Sequence, residues 1–366
     1  MTVTAIKCAL YGGVIIMKRV LFIIIALCLL LTVFVTGCGK KAGSEGEVNV
    51  YNWGEYIDRD IIRIFERETG IKVNYFEYQS NEEMYSLLRM GGANVDVIIP
   101  SDYMVARLID EGMLEELDFS NIPNYSLIDP KYKNLEYDPG GRYSVAYMTG
   151  TVGLIYNSKM ISDDITSWSA LFDSKYSGQI LMFDNPRDAF GIALKYLGHS
   201  QNTTSEAELR AAFDLLVSQK PVLQAYVMDQ IFSKLESGEA AIGPYYAGDF
   251  LFMHETNPDL IFVRPVEGSN YFVDAMCIPS GAKNKTNAEI FINFMCRTDI
   301  ALRNMEEIYY ASANFEAAEE FADELEAWEY EIMFASDAVL ANCDVFSHLP
   351  PDILALYDQL WVELKR

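Results

Sequence analysis

Histidine and pairable cysteine are nearly missing from this chain of 366 residues. Its three histidines, His199, His254 and His348, are too few for a histidine-rich metal centre. The cysteines are Cys8, Cys28, Cys38, Cys277, Cys296 and Cys343, and no two stand as Cys-x-x-Cys. Cys8 and Cys28 lie in an N-terminal leader and Cys38 closes it, so an odd number remains. That excludes a disulfide framework and a zinc ribbon, and leaves three small buried apolar side chains as the expectation. Positive charge is also short, with 28 Lys and Arg against 53 Asp and Glu, a formal charge of −25. Losing the leader's Lys7, Lys18 and Arg19 takes −25 to −28. Such a surface repels nucleic acid and has no attraction for anionic lipid, but it favours cations. Internal repeats and low-complexity segments are absent, and nothing after the first 40 residues resembles a second membrane span.

What is present begins with the leader. Lys18-Arg19 precedes an apolar run from Val20 to Val35, followed by Thr36-Gly37-Cys38. Small residues directly before a cysteine resemble the lipobox of bacterial lipoproteins. The expectation is a signal peptide over 1–37, removed on export, with lipid placed on Cys38. The competing reading is an uncleaved anchor helix, since the run is long enough to span. Met17 heads a more ordinary leader than Met1, which puts the translation of 1–16 in question. Residues 38–46 read as a flexible lipidated tether.

The remaining length suits two lobes better than one core. Strands are expected at Val48–Tyr51, Ile71–Tyr75, Val95–Ile99, Gln179–Phe183 and Ala240–Gly243. A helix from Asp58 should stop at Gly70, and another from Asp102 at Gly112. Ser80-x-x-Glu83, Ser205-x-x-Glu208 and Thr286-x-x-Glu289 read as capping boxes. A helix should run through Ala189–Leu194, and a last one from Pro351 through Leu354, Tyr357, Leu360, Trp361 and Leu364. Alternating strands and helices predict open α/β sheets, with ligands at the carboxyl ends of strands.

Rings interleaved with carboxylates stand at several of those ends. They are Tyr51-Asn52-Trp53-Gly54-Glu55-Tyr56, Ser101-Asp102-Tyr103, Asp184-Asn185-Pro186-Arg187-Asp188, Tyr245-Tyr246-Ala247-Gly248-Asp249 and Asn270-Tyr271-Phe272-Val273-Asp274. Ring faces attract cations, by roughly 0.5–2 kcal/mol each. Carboxylates bind ammonium groups through charge-assisted hydrogen bonds. The set suits an elongated cation with an apolar stem. Composition alone leaves a plainer reading open: a ring or an Asp after a strand commonly packs in a core or starts a helix, and Asp102 and Asp188 fit that role.

The segment Tyr51-Asn52-Trp53-Gly54-Glu55-Tyr56-Ile57, continued by Phe65-Glu66-Arg67-Glu68-Thr69-Gly70-Ile71-Lys72-Val73, resembles the opening of the spermidine/putrescine-binding proteins of ABC transporters. So do Ser80-Asn81-Glu82-Glu83-Met84-Tyr85, Asp96-Val97-Ile98-Ile99-Pro100-Ser101 and Ala282-Lys283-Asn284-Lys285, in order along nearly all of the chain from Glu47. The resemblance implies an α/β, two-lobed fold of the type II periplasmic-binding-protein kind, with the ligand cleft between lobes. The lobes would be 47–150 with 274–318, and 151–273 with 319–366. Carried over by position, Trp53 and Tyr56 would be aromatic walls and Glu55 would hold one terminal amine. Gly54 stands where some members place a hydroxyl. Ser101 and Tyr103 would line the cleft, Asp274 would be the central carboxylate, and Phe272 its accompanying ring. Tyr246 replaces a family Trp, Asp249 matches an acid of putrescine-type members, and Tyr310 matches another cleft ring. Asp188 falls where spermidine binders carry Glu. Asn185 replaces an Asp that holds their far amine, which puts preference for the longer ligand in doubt.

The implied protein is not an enzyme and needs no cofactor or metal. It would be a monomer anchored at the outer face of the cell membrane, or periplasmic, closing on a polyamine and docking on the permease subunits. Three rivals remain. A ferric-ion binder of the same fold would use Tyr245-Tyr246 as ligands. A glycoside hydrolase would pair carboxylates such as Asp184 and Asp188. A surface lipoprotein for adhesion or scaffolding would need no small ligand.

Overall fold

The structure is a computed structural model, described for residues 46–91 and 94–366. The leader, Cys38 and the tether up to residue 45 lie outside the described residues. Among the described residues, no helix is long and apolar enough to cross a membrane.

The first strand, β1 (Gly46–Trp53), pairs in parallel with β2 (Ile71–Tyr78) and β3 (Val97–Ile98). Val48 and Val50 of β1 are fully buried. The connecting helix Arg59–Thr69 takes Asp58 as its N-cap, whose side chain accepts from the Asp60 N–H. It ends at Gly70, where φ is 76°, a left-handed conformation that glycine reaches without Cβ strain. In the helix Asn81–Arg89, Ser80 accepts from the Glu83 N–H as expected. Glu83 reaches back one residue further, to the Gln79 N–H. Ser205 likewise accepts from the Glu208 N–H at the start of Glu206–Gln219, but the box is not closed, because the Glu208 side chain takes the Thr203 hydroxyl instead. The last helix, Pro351–Leu364, buries Ile353, Tyr357, Leu360 and Leu364.

One strand joins the two halves of the molecule. β4 (Ser144–Asn157) runs 14 residues, all buried. Residues 144–151 pair with β9 (Ser269–Cys277), and Met148 and Thr149 also pair with β10 (Ala311–Ser312). From Val152 onward it pairs with β7 (Ile242–Tyr246), and from Leu154 with β8 (Leu260–Val263). Beyond β7 follow β5 (Ile180–Phe183) and β6 (Leu223–Val227), all parallel. β9 continues the other way, to β3 at Cys277, and meets β11 (Cys343–Asp344) at Ser269. The path is β2-β1-β3-β9-β4-β7-β5-β6. This mixed α/β, two-lobed arrangement is the one expected from the sequence.

Two local expectations fail. Val95–Ile99 is not a continuous strand: only Val97–Ile98 pairs as one. The segment before it is held by one backbone hydrogen bond and by side chains. The Asp96 N–H donates to Asn49 O, and the Asp96 carboxylate takes four donors, from Asn49 and Asn284. Thr286 is not a cap either, because the helix Lys285–Met295 starts at Asn284. Glu289 accepts instead from the Asp118 N–H and Asn121 Nδ2, tying the helix to the turn at Phe119–Asn121.

Candidate ligand-binding site

The strand ends converge on a cleft of about 740 Å³, counting the part open to solvent. All twelve non-lipid positions singled out in the sequence line it: Trp53, Glu55, Tyr56, Ser101, Tyr103, Asn185, Asp188, Tyr246, Asp249, Phe272, Asp274 and Tyr310.

Each piece is held by its own element. After β1, the Trp53 Nε1–H donates to Ile99 O at 2.8 Å, and its ring lies 4.7 Å from that of Tyr78. Tyr56 stands edge-on to Tyr147 and Tyr310. After β3, Ser101 and Tyr103 are both reached by Asn81 Nδ2, and the Tyr103 hydroxyl donates to Glu82 at 3.0 Å. After β5, Asn185 caps the helix Pro186–Tyr196 by accepting from the Arg187 N–H, while Asp188 occupies its first turn. After β7, Asp249 lies in the first turn of the helix Ala247–Thr256. Asp274 comes from β9 beside the bridge to Ser101. Asp102 combines the plain and the positional readings: its carboxylate accepts from the Tyr103 N–H and from the Val273 N–H of β9.

The placement of Tyr310 depends on glycines. A Cβ at Gly150 would stand 2.7 Å from Phe272 and 3.2 Å from Tyr310. A Cβ at Gly248 would stand 2.6 Å from Tyr310. The Phe272 and Tyr310 rings therefore occupy space that side chains at 150 and 248 would fill.

Tyrosine hydroxyls meet the carboxylates in pairs. Tyr56 donates to Asp274 Oδ2 at 2.8 Å, Tyr246 to Asp188 at 3.0 Å and Tyr310 to Asp249 at 2.8 Å. Burial raises these tyrosines well above their usual range, so they stay protonated donors. Burial also raises the acids, Asp274 to about 6, Asp188 to about 7, and Asp249 and Asp102 each to about 8. Among the described residues that line the cleft there is no Lys, Arg or His. Arg187 lies behind Tyr103, packed against that ring and those of Phe346 and Tyr357. Asp274 is 4% exposed, and its Oδ1 has no partner among the described residues. Buried acids without cations are costly, so the cleft favours a cationic guest.

The rival arrangements do not form. Tyr245 and Tyr246 send their hydroxyls to different acids, Asp229 and Asp188, and do not converge on one ion. Asp184 does not line the cleft; it binds Lys365. Cys277 and Cys296 are buried and unpaired, as expected, and Cys343 is half-buried.

Sequence reading missed Asp229, Gln79, Tyr78, Phe232 and Phe346 among the lining residues. Asp229 carried the same signal as the others, an acid just after a strand. It was passed over because β6 was not recognised. Its residues are half-buried up to Val227, with no alternation to mark a strand.

The family model of the bacterial extracellular solute-binding proteins matches residues 60–334. The chain belongs to that family. The spermidine/putrescine-binding periplasmic protein of Salmonella typhimurium is 34% identical over 327 residues, 88% of this chain and 93% of that protein. The spermidine/putrescine ABC transporter substrate-binding protein of Streptococcus pneumoniae has a solved structure with a TM-score of 0.72. It is 32% identical, covering 88% of this chain and 99% of that one. A lipoprotein of Treponema pallidum is 27% identical with a TM-score of 0.76, covering 87% and 99%. Within the family, the chain's place is in the branch that holds the spermidine/putrescine-binding proteins.

Proposed function

We propose that this protein captures a polyamine outside the cytoplasm and delivers it to the permease subunits of an ABC transporter. The observation that carries the reading is the cleft itself. Carboxylates alternate with rings, tyrosines supply the hydrogen-bond donors, and no lining residue among those described carries a positive charge. A polyamine brings ammonium groups for the carboxylates and a methylene stem for the rings. Ligand touching both lobes would favour the closed state by its greater affinity for it.

The lobes are 47–150 with 274–318, and 151–273 with 319–366. The change of partner along β4 near residue 151 supports the first boundary. Trp53 and Tyr56 act as walls, Glu55, Asp188, Asp249 and Asp274 as ammonium acceptors, and Ser101, Tyr103, Asn185, Tyr246, Phe272 and Tyr310 as the remaining lining. The protein acts as a monomeric binder without catalysis.

Removing residues 1–38 is expected to leave a soluble monomer whose Tm rises with putrescine or spermidine. A ligand at a hundred times its Kd stabilises the native state by about 2.7 kcal/mol. Differential scanning fluorimetry against amines, amino acids, sugars and metals is the test. No shift with any polyamine at saturation refutes the reading.

Anchoring follows from Thr36-Gly37-Cys38. Cys38→Ser is expected to abolish metabolic labelling with a fatty acid and to release or mislocalise the protein. Unchanged labelling would place the anchor elsewhere.

A further inference from the structure

Asp229 stands where the helix Gln230–Glu236 begins, a position at which an acid ordinarily caps the N-terminus. It does not do so. Its backbone is already helical, with φ −58° and ψ −14°, and its side chain makes no cap hydrogen bond. The carboxylate turns into the cleft instead. Oδ1 accepts from the Tyr245 hydroxyl at 3.1 Å, and Oδ2 accepts from Gln79 Nε2 at 3.1 Å. Gln79 follows β2 and Asp229 follows β6, strands at opposite ends of the sheet path. The contact therefore spans the cleft.

Gly54 makes the span possible. A Cβ at residue 54 would lie 2.7 Å from Asp229 Oδ2 and 3.6 Å from Gln79 Nε2. Its backbone is outside the left-handed region, so the turn does not itself require glycine. What a side chain there would crowd is the carboxylate passing over it.

The acids of the cleft sort into two groups by the charges they feel. After burial, Asp249 is raised by Asp229 and Glu55. Asp188 responds instead to Glu82, Arg187 and Asp274. Asp229 and Asp249 thus share one end, where the hydroxyls of Tyr245 and Tyr310 already donate to them. Among the described residues no cationic side chain lines that end, and Asp274 Oδ1, without a partner there, lies in the same cavity and marks the space as one for a guest.

We propose that Asp229 is a ligand-binding carboxylate that, with Asp249, seats one terminal ammonium of the guest, and that Gly54 is there to let it reach across the cleft. This rests on the polyamine reading and adds a residue to it. The seat has two carboxylates for one ammonium, so it selects a primary amine with several free N–H donors.

The test is calorimetric titration of putrescine and spermidine into the wild type, Asp229→Asn, Asp229→Ala, Gly54→Ala and the Gly54→Ala/Asp229→Ala double variant. Asp229→Asn keeps an acceptor for Tyr245 but removes the charge. It is expected to weaken binding roughly ten- to a hundredfold, the scale of one hydrogen bond to a charged group. Gly54→Ala should weaken binding in the wild type and add little once Asp229 is Ala, because its effect acts through that carboxylate. The ligand-free Tm is the second readout. Removing one of several like charges should leave it unchanged or raise it, whereas a merely structural strap to Gln79 would lower it. Wild-type affinity in Asp229→Asn, with polyamine binding intact in the wild type, overturns this proposal alone. A wild type that binds neither polyamine overturns the polyamine reading, and this proposal with it.

Discussion

Asp274→Asn is expected to lower polyamine affinity by two to four powers of ten while leaving the fold in place. The side chain lies in the middle of the cleft, 4% exposed, with Tyr56 donating to Oδ2 and nothing donating to Oδ1 among the described residues. An ammonium brought there loses its water and takes Asp274 as its counter-charge. Leaving a buried charge unpaired costs about 3–5 kcal/mol, which is roughly two to four powers of ten in Kd. The amide keeps the volume and can still accept from Tyr56. Calorimetry on the folded variant checks this, and near-native affinity would reassign Asp274 to a structural role. The pH profile gives a second check. Burial raises Asp274 to about 6, and Asp188 and Asp249 to about 7 and 8, so these acids are protonated in the folded protein at pH values where an unfolded chain has ionised them. The ligand-free protein therefore loses stability as pH rises from about 4 to about 8. Polyamine affinity moves the opposite way, rising across the upper part of that window as the acids ionise. In Asp274→Asn the rise should lose its lowest-pH component.

Asp96→Ala is expected to be strongly destabilising. Asp96 is fully buried and does not line the cleft. It accepts from the Asn49 N–H and Nδ2 and from the Asn284 N–H and Nδ2, so it ties β1 to the start of the helix Lys285–Met295. Alanine leaves the Asn49 donors buried, and the Asn284 donors half-buried, without that acceptor. Such losses are not additive, and a total of about 3–4 kcal/mol is expected. That is a large part of a usual stability of about 5–15 kcal/mol and corresponds to roughly 5–10 °C in Tm. Thermal unfolding without ligand measures it, and a native Tm would show that the network contributes little. Polyamine affinity of the folded fraction should hardly change, which separates this acid from Asp274.

The contrast between the two acids shows where sequence reading stops. Both stand in stretches shared with the spermidine/putrescine-binding proteins. Composition and spacing at Asp96-Val97 and Val273-Asp274 do not say that the first serves the frame and the second the cleft; for Asp274 only the resemblance did. Local signals did translate directly. Gly70 ends its helix, Ser80 and Ser205 cap theirs, and Pro351–Leu364 buries its apolar stripe, because each depends on neighbours within one or two turns. Thr286 and Glu289 failed for the converse reason. A partner at Asp96 fixes the helix start at Asn284, and partners at Asp118 and Asn121 claim the glutamate.

By itself, the sequence determined the α/β class, the acidic and aromatic chemistry, the branch of the family and twelve residues of the cleft. The first two follow from composition and short-range periodicity, and the branch and the cleft residues from the resemblance carried by motifs that keep their order. Only the tertiary structure decided that β4 serves both halves, and which tyrosine meets which acid. It alone showed that Asp229 crosses the cleft above Gly54. Tyr56 and Asp274 are 218 positions apart, and Gln79 and Asp229 are 150 apart. Pairing at such separations is set by how strands close into a sheet and how cores pack. A strand buried along its whole length carries no alternation to reveal its partners.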